Sequence, residues 1–164
     1  MSPTILYFDT SAAHCAAALL VNGEVTVRID DMARGQAEHL MVMLGDVLAD
    51  AGLGWSDLSA IAVGTGPGNF TGIRISVAAA RGVALGAGVP AIGVSGFETT
   101  ARLAGAVDAC RICLSAPRDS AYVQPFDAGR PTGPARHLTA AEAGAPCIGP
   151  AATLVGGTET FIAS

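Results

Sequence analysis

The chain has 164 residues, of which 51% are hydrophobic and 14% charged, against about 25% charged in an average soluble domain; mean hydropathy is +0.48. This composition excludes a disordered chain, and no uninterrupted apolar run reaches the roughly 18 residues a membrane-spanning helix requires. All nine basic residues are Arg, which excludes a phosphate-loop lysine, a Schiff base and a lysine nucleophile, and a net charge of −5 makes the chain a poor nucleic-acid binder by itself.

Met1 to Pro3 carry no basic region of the kind a secretory signal needs. The four cysteines, Cys15, Cys110, Cys113 and Cys147, are therefore expected as reduced thiols in the cytoplasm. Ile5 to Asp9 is a compact apolar run that ends in the turn-forming Asp9-Thr10-Ser11. Ala16 to Val21 and Glu24 to Ile29 flank Asn22-Gly23, the strongest short-range hairpin signal, because both central residues of a type I′ turn need positive φ. The first thirty residues thus predict a three-strand meander. Gln36 to Ala51 has helical spacing, with Leu40, Leu44, Val47, Leu48 and Ala51 on one stripe, and Gly52 and Gly54 end it. Ser59 to Val63 reads as a buried strand that runs into Gly64-Thr65-Gly66-Pro67-Gly68-Asn69-Phe70-Thr71-Gly72, with a helix from about Ile73 to Leu85. Pro90 to Val94 is a short strand. Ser95 caps a helix through about Leu103, with Glu98 completing a capping box. Arg111 to Ala116 and Ala121 to Phe126 form a second pair around Pro117 to Ser120. The stretch 127–146, rich in Gly, Pro and Ala, reads as loop with room for one short helix. Cys147 to Gly149 and Ala152 to Val155 are candidates for a last strand. The order predicts an α/β fold, a mixed sheet with helices on its faces, divided into a first lobe at 1–100 and an abbreviated second lobe at 101–164.

Gly64 to Gly72 is the most distinctive segment. A strand, spaced glycines and a helix start expose backbone N–H groups at the positive end of a helix dipole, which suits an anion. A tight turn in which glycine permits close backbone approach explains the same residues. Asp9 suits either a metal or an Asx turn. Arg74 suits a phosphate clamp or an interface ion pair. Cys110 and Cys113 form a lone Cys-x-x-Cys, half of what a structural zinc needs, and point to opposite faces of a strand. His14, His39 and His137 are too scattered for a zinc-protease pair, and no Gly-x-Ser-x-Gly elbow is present. Leu40-Met41-Val42-Met43-Leu44 is apolar around more than one side of its helix. The next helix is lined by Ser76, Ala80 and Ala84, and by Gly82 and Gly86, at spacing four. Two helices with surplus apolar or small-residue surface predict a partner-binding face.

Ile5 to Ser11, the Asn22-Gly23 hairpin and above all Gly64 to Ile75 resemble the TsaB (YeaZ) family, the glycoprotease-like subunit of the bacterial tRNA threonylcarbamoyladenosine machinery. Ala33-Arg34-Gly35, Pro90 to Thr100 and Tyr122-Val123-Gln124 also fit, so the likeness covers roughly residues 4 to 126. The resemblance implies an actin-like (ASKHA) fold of ribonuclease-H-like lobes. It implies a non-catalytic scaffold that binds a TsaD-like catalytic subunit, with a TsaE-like ATPase assisting, reaching tRNA indirectly through partners. Leu40, Met43, Leu44, Val47, Val77, Ala80, Arg81 and Ala84 are the expected interface, which a homodimer would cover in isolation. Asp9, Thr10, Gly66, Gly68, Thr71 and Arg74 are the expected nucleotide, phosphate or complex contacts. No cofactor is expected in the isolated chain, with ADP or ATP and magnesium reserved for a partner interface. The alternatives are an actin-like nucleotide-binding enzyme and a vestigial glycoprotease-type peptidase. Where family members commonly carry His, this chain has Gln36.

Overall fold

The computed structural model describes residues 2–106, 108–139 and 147–151, which fall into two compact units, 1–94 and 95–164. In the first, β1 (Ile5–Asp9), β2 (His14–Val21) and β3 (Glu24–Asp31) form the expected meander. Asn22 and Gly23 turn β2 into β3 with φ of 52° and 88°, the pair of positive values a type I′ turn demands. β4 (Ala60–Gly64) then lies parallel to β1, and β5 (Ala91–Val94) parallel to β4, giving the order β3-β2-β1-β4-β5. That is the mixed sheet of a ribonuclease-H-like lobe.

Two helices supply the crossovers. α1 (Gln36–Asp50) joins β3 to β4, with a single 3-10 turn at Trp55–Asp57 after it, and α2 (Phe70–Ala87) joins β4 to β5. Leu6 and Phe8 of β1, Ala17 and Leu19 of β2, and Ile61 and Val63 of β4 are buried with Leu40, Met43, Leu44, Val47 and Leu48 of α1 and with Ala80 and Ala84 of α2. Alternation along each strand sends one set of side chains to these helices. α2 starts three residues earlier than its spacing predicts, because the Asn69 side chain accepts a hydrogen bond from the Gly72 N–H at 2.9 Å and caps the helix at Phe70.

The second unit holds α3 (Gly96–Leu103), β6 (Cys110–Ala116), β7 (Ser120–Asp127), β8 (Arg130–Pro131), β9 (Arg136–Thr139) and β10 (Cys147–Ile148). Ser95 and Glu98 form the expected capping box at the start of α3. The division falls after Val94 rather than after residue 100, because α3 packs on β6 and shares a core with it through Phe97, Ala101, Ile112 and Phe126. β6 pairs antiparallel with β7 and parallel with β10, and β9 pairs antiparallel with β7. β6, β7, β9 and β10 therefore repeat the pairing of β1, β2, β3 and β4. Two strands, β8 and β9, stand where the sequence reads as loop; the rest of that stretch, 140–146, and the candidate strand at Ala152 to Val155 lie outside the described residues. None of the described helices is long and apolar enough to cross a membrane.

Candidate functional site

The glycine-rich segment closes on the turn after β1. Asp9 Oδ1 accepts hydrogen bonds from the Ser11 N–H and the Ser11 hydroxyl, both at 2.6 Å, which is an Asx turn. The Thr10 hydroxyl, fully buried, donates to the Gly72 carbonyl at 2.6 Å. The Asn69 N–H donates to the Ser11 carbonyl at 2.6 Å. A Cβ added at Gly72 would lie 1.8 Å from the Thr10 carbonyl oxygen, and one at Gly68 would lie 2.5 Å from that of Ser11. Gly66, at φ +85°, packs beneath Ile73, and the Gly66–Pro67 peptide is cis. The expected contacts Asp9, Thr10, Gly66 and Gly68 are thus brought together, but around the chain's own backbone.

This geometry accounts for the segment as a tight turn of close backbone approach. The Asp9 Oδ1 lone pairs, the Gly72 N–H and the space beside Gly68 and Gly72 are taken up within the chain itself. Thr71 and Arg74 lie exposed on the first turns of α2, with the Arg74 guanidinium 5.2 Å from the centre of the exposed Phe70 ring. Gln36 ties α1 to the same turn: its side-chain amide donates to the carbonyls of Ala12 at 2.7 Å, His14 at 2.9 Å and Thr10 at 3.4 Å. His39, shifted along α1 from the family position, meets Asp30 at 2.6 Å instead.

The second candidate site is the outer surface of α1 and α2. Here the expected residues need correction. Leu40, Met43, Leu44 and Val47 are between 0% and 7% exposed, as are Ala80 and Ala84. They face β1, β2 and β4, and they cannot touch a partner. Val77 is half-buried against the same core, and Arg81 alone of the eight is exposed. The free surface lies one helical step away. Met41, Trp55, Ala79, Gly82, Val83, Gly86 and Ala87 line a groove of about 500 Å³. A second depression of about 620 Å³ runs alongside it past Arg81, Gly82, Leu85 and Val89. Met41 is 42% exposed, Val42 62% and Leu85 86%. A Cβ at Gly82 or at Gly86 would meet nothing within 4 Å, so the α2 backbone is bare along one stripe. Such a stripe permits another helix to approach closely.

The expected residues lie on these two helices, but on their inward stripe. Leu40 to Leu44 signalled two faces, and Gly82 and Gly86 signalled the bare one. Leu85 had a signal too: it stands one position beyond the inward-facing Ala84. Trp55 had none, since it reaches the groove from the turn after α1.

A peptidase would need an activated nucleophile, and the second unit offers a Ser–His contact. His137 Nε2 lies 2.6 Å from Ser120 Oγ, and that hydroxyl also lies 2.5 Å from the Pro117 carbonyl. A carbonyl only accepts, so the serine proton goes to Pro117 and the imidazole N–H must donate to Oγ. Ser120 is 3% exposed. The pair anchors the β6–β7 turn to β9, and its proton arrangement is the reverse of general-base activation. Among the described residues no group of three or more His, Cys, Asp or Glu is placed to hold a metal ion.

A family model described as TsaD, tRNA N6-adenosine threonylcarbamoyltransferase, matches residues 30–133. The tRNA threonylcarbamoyladenosine biosynthesis protein TsaB of Haemophilus influenzae is 40% identical over 102 residues, which are 62% of this chain and 43% of that protein. The chain thus matches less than half the length of that curated relative. A solved structure, YeaZ from Pseudomonas aeruginosa, superposes with a TM-score of 0.73 at 30% identity, over 90% of this chain and 75% of the other. The ethanolamine utilization protein EutJ from Carboxydothermus hydrogenoformans shares the fold alone, at a TM-score of 0.51 and 14% identity over 84% of this chain and 52% of that one. The architecture is the actin-like, ribonuclease-H-like one, and the chain belongs to the TsaB (YeaZ) family.

Proposed function

We propose that the chain is a non-catalytic accessory subunit. It docks a TsaD-like catalytic subunit on the α1–α2 groove and so supports transfer of the threonylcarbamoyl group to adenosine in tRNA. The observation that carries this reading is the bare, apolar stripe of Gly82 and Gly86 between Met41 and Leu85, which is surface the fold has not used for itself. Charge gives the groove a direction. Exposed Glu38 and Asp50 lie on α1, and exposed Arg74 and Arg81 on α2. A partner helix pair with the opposite arrangement satisfies both edges, and so does a second copy turned about a two-fold axis. In isolation the chain covers the groove as a homodimer. In this reading the tRNA contacts come from partners, which the acidic net charge supports, and a TsaE-like ATPase acts on the assembled pair.

Co-expression with the TsaD-like subunit tests the reading. The two chains co-purify, and Leu85→Glu, which adds a charge at an exposed position, abolishes co-purification while leaving the circular dichroism spectrum unchanged. Leu44→Glu does not serve, because Leu44 is fully buried and its replacement unfolds the unit. Failure of the wild-type chains to co-purify, or indifference of the complex to Leu85→Glu, would refute the docking site.

A further inference from the structure

We draw no further inference here: the strongest candidate, the apolar face of the first sheet turned away from α1 and α2, where Val25, Val27 and Ile29 of β3 and Ile92 of β5 stand exposed beside Leu20 and Tyr7, carries nothing because nothing in the structure shows what covers it.

Discussion

Gly72 and Gly82 lie on the same helix, ten residues apart, and alanine should act on them in opposite directions. At Gly72 the new Cβ would sit 1.8 Å from the Thr10 carbonyl oxygen and 2.9 Å from its carbon. The obstacle is backbone, which cannot rotate away, so β1 and α2 must separate by more than an ångström. That breaks the buried hydrogen bond from the Thr10 hydroxyl to Gly72, worth about 1 kcal/mol. Overpacking adds about 1–3 kcal/mol, and alanine's better helix propensity returns about 1 kcal/mol. The net destabilisation is about 2 kcal/mol, equivalent to a fall of roughly 4–8 °C in Tm. At Gly82 nothing lies within 4 Å; only the propensity gain applies, so Gly82→Ala stabilises by about 0.5–1 kcal/mol. Its methyl group nevertheless fills part of the groove and weakens partner binding. Urea unfolding followed by circular dichroism measures both stabilities, and co-purification reads the binding. Equal stabilities for the two variants would refute the reading of the β1–α2 contact as a close-packed lock.

Burial, and then the nearby Asp9 carboxylate, push the Tyr7 phenol up to about 12. Because the folded value exceeds the unfolded one, this contribution is intact below pH 10 and is lost as pH rises through 12, amounting to up to about 2 kcal/mol. Tyr7→Phe should flatten the alkaline fall in stability measured by urea unfolding, and an unchanged slope would count against it. Burial and a hydrogen bond with Cys147 push the Cys113 thiol far up, and Cys15, Cys113 and Cys147 are all buried. At pH 8 an aromatic disulfide reagent should label Cys110 first, and all four thiols only after unfolding; rapid labelling of Cys113 in the native chain would contradict its burial.

Much of the fold was legible because its signals are local. Asn22-Gly23, the Ser95–Glu98 box and the glycines after β4 act over a few residues, and each produced the turn, cap or close approach it predicts. β8 and β9 were not legible. Arg130-Pro131 and Arg136 to Thr139 carry no strand pattern, and only pairing with β7, which sets His137 opposite Tyr122, makes them strands. The outer surface of α1 and α2 was half legible. The spacing marks Leu40, Leu44, Val47 and Leu48 as one continuous stripe, and it puts Leu40, Met43, Leu44 and Val47 at a partner because so short a chain has little else to cover it. Leu6, Phe8, Leu19, Ile61 and Val63 do cover it, and the surplus is displaced to Met41, Val42 and Leu85. A single sequence gives the period of a helix face and leaves open which neighbour meets it.

Gln36 reaches three main-chain oxygens with one carboxamide. Three inward-turned oxygens make a spot of negative potential that a positive charge would fill better than a neutral amide. The amide takes up no proton in the physiological range, so its grip on the hairpin entrance is indifferent to acidity. An imidazole in its place would hold that entrance most firmly when protonated and loosen as the solution turned alkaline, converting a fixed rivet into one that responds to its surroundings.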